Sequence, residues 1–133
     1  MPRQTPGQVR GIMAPMPSQQ TLVATLREFA RERDWGKFHT PKNLAMALSV
    51  EVGELVEIFQ WLTPEEARDV MAGRQAARVE EELADIYGYL LRLADVLEVD
   101  LTEALASKID LNRVKYPVAS ARGHARKYDD LEA

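Results

Sequence analysis

The chain has 133 residues, a length that fits one domain. Its 46% hydrophobic and 29% charged residues supply a core and exclude a wholly disordered protein. Seventeen basic against 21 acidic side chains leave a net charge of −4, which argues against a global electrostatic grip on nucleic acid, and the absence of cysteine removes disulfides, thiolate zinc and cysteine nucleophiles.

Residues 1–19 hold four of the seven prolines, two arginines and no acid, and read as a flexible N-terminal tail without the apolar core of a signal peptide. Helix signals begin at Ser18. A first helix is predicted from about Gln20 to Arg33, with Leu22, Leu26 and Phe29 on one face. After a loop from Asp34 to His39, Thr40 is a natural N-cap and Pro41 suits the first helical position. A second helix is predicted from Pro41 to about Trp61. Thr63 and Glu66 form a capping-box pattern that opens a short helix, stopped near Gly73. A fourth helix covers about Arg74 to Glu98. Asp100 and Glu103 open a fifth, which Pro117 limits. Residues 117–133 show no helical period and read as a C-terminal tail packing on or near the active site of a 20–116 helical domain. No stretch alternates like a strand, and no apolar run approaches the ~20 residues of a membrane span. The expectation is an all-α, cytoplasmic protein with neither a nucleic-acid nor a membrane partner.

Helical geometry, at ~100° per residue, then places the acids. Leu48, Leu55, Phe59 and Leu62 fall within about 60° of Leu44, and Glu51 lands inside that apolar stripe. Glu54 lies on its flank, beside Ala47 and Trp61. On the fourth helix Val79, Leu83, Ile86, Leu90, Leu93 and Leu97 form one stripe, with Glu82, Asp85 and Tyr89 down a single edge. Two helices thus each carry an acidic pair at i, i+3 on a face expected to be buried. Burying ionised carboxylates costs several kcal/mol unless something compensates. A divalent cation held by Glu51, Glu54, Glu82 and Asp85 would do so, and an all-oxygen set suits Mg²⁺ or Mn²⁺ over zinc. The competing reading pairs these acids with basic side chains from other helices, Lys108 among them.

Magnesium on a few carboxylates commonly handles substrate phosphates. With no Walker loop and no GxGxxG, the phosphates would need basic side chains: Lys108, Asn112, Arg113 and Lys115 late in the fifth helix, or Arg122, Arg126 and Lys127 in the tail. Trp35, Trp61 and Tyr89 are candidates to stack on a base. Gly53 and Gly88 lie in mid-helix opposite the apolar stripes, where glycine costs up to about 1 kcal/mol against alanine. On the fourth helix Ala77, Ala84, Gly88 and Leu91 make a second face of small and apolar residues that calls for cover by another helix or subunit.

The run from Glu51 through Glu54 to Trp61, followed by Glu81-Glu82-Leu83-Ala84-Asp85 and Tyr89, resembles the ExxE…ExxD signature of the MazG-like all-α nucleotide pyrophosphohydrolases. Arg33-Asp34-Trp35-Gly36-Lys37-Phe38-His39, the stretch from Ser107 through Lys108, Asn112 and Arg113 to Pro117, and the tail from Arg122 to Leu131 resemble the dCTP pyrophosphatase branch of that family. The resemblance implies a four-helix-type bundle with an additional short helix, assembled as a dimer or a tetramer of dimers. It implies Mg²⁺-dependent cleavage of a nucleoside triphosphate to the monophosphate and pyrophosphate, in sanitation of the nucleotide pool. By carry-over Glu51, Glu54, Glu82 and Asp85 match the metal ligands, with Glu51 or Glu54 acting on the water. Trp35, Gly36, Lys37, Phe38, His39, Trp61 and Tyr89 match the nucleotide pocket, and Lys108 and Asn112 lie near the phosphates. Val50 stands where some relatives carry an additional Glu. Leu26, with Arg27 next to it, stands where the animal enzymes place a His. Two further readings are a same-fold pyrophosphatase of different base preference and a non-catalytic helical interaction module.

Overall fold

The computed structural model describes residues 15–131, so most of the expected N-terminal tail lies outside the described residues. The helices are α1 (Gln19–Glu32), α2 (Pro41–Phe59), α3 (Pro64–Arg68), α4 (Ala76–Val96), α5 (Leu101–Lys115) and α6 (Val118–Ala121). Single 3₁₀ turns occur at Val70–Ala72 and Tyr128–Asp130, and no strand occurs among the described residues.

Local chemistry sets most of the helix starts. Ser18 accepts from the Thr21 amide, Thr40 from Asn43, and Asp100 from Glu103. Thr63 and Glu66 complete a reciprocal capping box. The ends of α1 and α4 share one device. Asp34 and Glu98 take left-handed backbone angles, with φ of 51° and 56°. The next amides, Trp35 and Val99, donate back to Ala30 and Ala94 at 2.9 Å, which is the Schellman closure with a non-glycine residue at its left-handed position.

The main packing is α2 against α4, with α1 laid on α4. Leu44 and Ile58 of α2, Val79, Leu91 and Ala94 of α4, and Ala30 of α1 are buried. Three expectations change here. The α4 stripe is split: Val79 is buried and Ile86 and Leu93 half-buried, while Leu83, Leu90 and Leu97 are exposed. Helix rotation is set by α2 on one side and α1 on the other, and that brings in Leu91 and Ala94 instead. Phe29 is likewise exposed, caught between the Trp35 ring (5.7 Å, edge-on) and the Arg33 guanidinium (3.5 Å). Trp61 is not on a helix face at all, because α2 ends at Phe59 and leaves it in the following turn.

The tail also departs from the helix-free reading. Pro117 ends α5 and caps the one-turn α6, whose Ala121 amide donates to the Pro117 carbonyl. Beyond it Tyr128 packs edge-on against Tyr116 at 6.3 Å, beneath the Lys115 ammonium. The tail thus folds back onto the end of α5.

Candidate active site

Four carboxylates converge where α2 meets α4. Ligand oxygens of Glu51, Glu82 and Asp85 lie within 4.8 Å of one another. Glu51 Oε2 and Glu82 Oε2 are buried and have no hydrogen-bond partner. Glu54 stands beside both, outside that trio but close enough to raise each of them. Burial first, then Glu54, Asp85 and Glu82, pushes the Glu51 carboxyl up to about 7. Glu82 rises for the same reasons, burial first and Glu54 next, against a small opposing pull from Arg78.

Basic side chains do not resolve this repulsion. Arg78 reaches Glu82 only at 4.0 Å and is shared with Glu57 at 3.4 Å. Among the described residues Glu51, Glu54 and Asp85 make no ion pair, so the pairing with Lys108 does not form. Orphaned buried oxygens in an all-carboxylate cluster fit a hard divalent cation, which would supply the missing counter-charge and ligand partner together.

A second cluster follows α1. The Schellman closure fixes Trp35, whose carbonyl accepts from Phe38 (2.9 Å) and His39 (3.1 Å). Asn43 Nδ2 holds the Phe38 carbonyl at 3.0 Å, tying the loop to α2. The Trp35 and His39 rings lie 6.1 Å apart. Gly36 has open space where a Cβ would stand. Lys37 is held by Asp34 at 2.8 Å and lies over Phe38, so its charge is used within the loop. Sequence reasoning missed the side chains behind His39: Arg92 donates to its Nδ1, and Asp95 joins Arg92 to Arg27. Arg92 and Asp95 read locally as an ordinary i, i+3 surface pair; nothing in sequence links them to a histidine 53 positions away.

The remaining candidates are more scattered. Tyr89 is half-buried one turn beyond Asp85, and Trp61 is 86% exposed. Lys108 borders an apolar groove with Tyr87 and Leu90. Among the described residues helix α5 packs extensively on no other helix, and Lys108 makes no ion pair with the carboxylates. Arg113 is paired with Asp110 at 2.9 Å, and Lys115, Arg122, Arg126 and Lys127 are exposed.

A model of the MazG-like family matches residues 46–131, a span that contains all four acids, Trp61, Tyr89, Lys108 and Asn112. The chain is 51% identical over 116 residues to dCTP pyrophosphatase 1 of Bos taurus, covering 86% of this chain and 69% of that protein. The proteins of the same name from Mus musculus and Homo sapiens are each 45% identical over 119 residues, covering 89% of this chain and 70% of theirs. A crystal structure of a pyrophosphatase from Archaeoglobus fulgidus is similar at a TM-score of 0.72 and 46% identity, over 80% of this chain and 98% of that one.

Proposed function

The chain belongs to the MazG-like family, and we propose that it hydrolyses dCTP to dCMP and pyrophosphate with a divalent cation, Mg²⁺ or Mn²⁺, held by Glu51, Glu54, Glu82 and Asp85. The observation that carries this reading is the buried, unpartnered oxygen on each of Glu51 and Glu82, two carboxylates that α2 and α4 bring together with Asp85. A cation bound there supplies positive charge to the triphosphate oxygens and to the departing pyrophosphate.

The protein's own groups do the rest. Water attacks the α-phosphorus, the bond to the bridging oxygen breaks, and pyrophosphate leaves with that electron pair. Glu51 or Glu54 orients the water and takes its proton, Glu54 standing against both Glu51 and Glu82. Trp35, Trp61 and Tyr89 grip the base, with Gly36, Lys37, Phe38 and His39 forming the pocket's loop, while Lys108 and Asn112 hold phosphate oxygens. The exposed apolar side of α5, with Leu105 at 62% and Ile109 at 43% exposure one turn apart, supports a homo-oligomer in which a second copy covers α5 and completes the pocket. The role is removal of excess or modified deoxycytidine triphosphates from the pool.

Pyrophosphate release from a panel of canonical and modified triphosphates, with and without Mg²⁺, tests the reading. Cation-dependent release from dCTP ahead of the other bases is the expected result. Release favouring another base would move the assignment to a same-fold pyrophosphatase of different preference. No release from any member would leave a helical interaction module.

A further inference from the structure

Behind the Trp35–His39 loop lies a hydrogen-bond chain that crosses three elements. Arg27 of α1 donates from Nε and Nη2 to the two oxygens of Asp95, at 3.0 and 2.6 Å. Arg92, one turn earlier on α4, donates from Nη1 to Asp95 Oδ2 at 3.1 Å and from Nε to His39 Nδ1 at 3.1 Å. The Arg92 and Asp95 side chains are only 13% and 14% exposed.

The direction of donation fixes the histidine. A guanidinium has no acceptor, so Nδ1 must carry the lone pair and the ring hydrogen must sit on Nε2. A second proton would have to enter between the ring and a cation. Burial and the Arg92 charge both lower the His39 pKa, in agreement with that geometry.

We propose that Arg92 is a positioning residue that locks His39 as the neutral Nε2–H tautomer, so that the loop offers the base a hydrogen-bond donor that cannot accept. The base-reading part rests on the functional reading above. A fixed donor aimed at N3 favours cytosine, where that nitrogen accepts, over thymine or uracil, where it carries a hydrogen. Arg92 would thus set pyrimidine selectivity without touching the nucleotide.

The chain has only two histidines, so ¹⁵N imidazole spectra of the full protein resolve His39 directly. The wild type should show the Nε2–H form from about pH 6 to 8, and Arg92→Met should yield mixed tautomers. Asp95 keeps its two bonds from Arg27 in that variant, so the fold is retained. The preference for dCTP over dTTP should fall about tenfold in Arg92→Met, the usual worth of one hydrogen bond, through KM and not kcat. Arg92→Lys should recover part of it. His39→Ala should lose as much as Arg92→Met, and the double variant should lose no more than either. An Nδ1–H wild type, selectivity unmoved in Arg92→Met, or losses that add would each overturn the proposal. A wild type inert on dCTP would overturn the functional reading and the base-reading role with it. The tautomer spectra would still show, independently of turnover, whether Arg92 controls His39.

Discussion

Glu51 concentrates the electrostatic cost of the site. Its folded-state pKa, about 7, lies above the ordinary 4.5, so between those values the folded chain holds more protons than the unfolded one. Stability from this group is full below pH 4.5 and is lost as pH rises through about 7. His39 works in the opposite sense, its lowered pKa costing stability as pH falls below 6.5. The lowered pKa values of Glu28 and Asp95 act below pH 4.5. The difference between wild type and Glu51→Gln isolates the glutamate. Without divalent cation, the melting temperature of the wild type relative to that variant should fall from about pH 5 to pH 8. Saturating Mg²⁺ should abolish the fall, because a ligand of the folded state compensates the repulsion. The same substitution, and Asp85→Asn, should each remove turnover while leaving a folded helical protein; wild-type rates in either would refute the metal assignment. Trp61 is a simpler case. With its ring in solvent, Trp61→Ala should change stability by no more than about 0.5 kcal/mol. Nucleotide binding should weaken by about 1–3 kcal/mol, the worth of an aromatic platform, and calorimetric melting with titration of a non-hydrolysable dCTP analogue reads both.

Among the elements, the ends of α1 and α4 show how local strain places functional side chains. The left-handed turn at Asp34 delivers Trp35 and, through its carbonyl, the amides of Phe38 and His39. The matching turn at Glu98 joins α4 to α5. A side chain in this backbone region costs about 1 kcal/mol, so Glu98→Gly should stabilise the chain by about 0.5–1 kcal/mol in chemical denaturation. Asp100→Ala should cost about 1 kcal/mol by leaving the Glu103 amide without its cap. All four side-chain caps are readable from the sequence, since each depends on residues three apart. Neither left-handed turn is, because both lack the glycine that marks such a position.

Over the whole molecule, the described chain buries few large side chains, and α5 with the outer line Leu83, Leu90 and Leu97 of α4 remains uncovered. If a second copy covers them, Leu105→Asp should shift sedimentation toward the monomer and lower turnover with the carboxylates intact. Retention of the wild-type assembly would place the interface elsewhere. What the sequence by itself determined was the all-helical class, nearly every helix boundary and the two acidic pairs, because caps and the 3.6-residue period are properties of short stretches. The motif order likewise carried the family, since it depends on residue identity alone. Tertiary structure decided the rest. How far each helix is rolled about its axis depends on its neighbours, so Leu91 and Ala94 are buried while half the expected α4 stripe is not. Only the packing of α2 on α4 turns two separate pairs into one repelling cluster. Only the crossing of α1, α4 and the loop gives His39 its partner, because a hydrogen bond needs atoms about 3 Å apart and sequence separation says nothing of that distance.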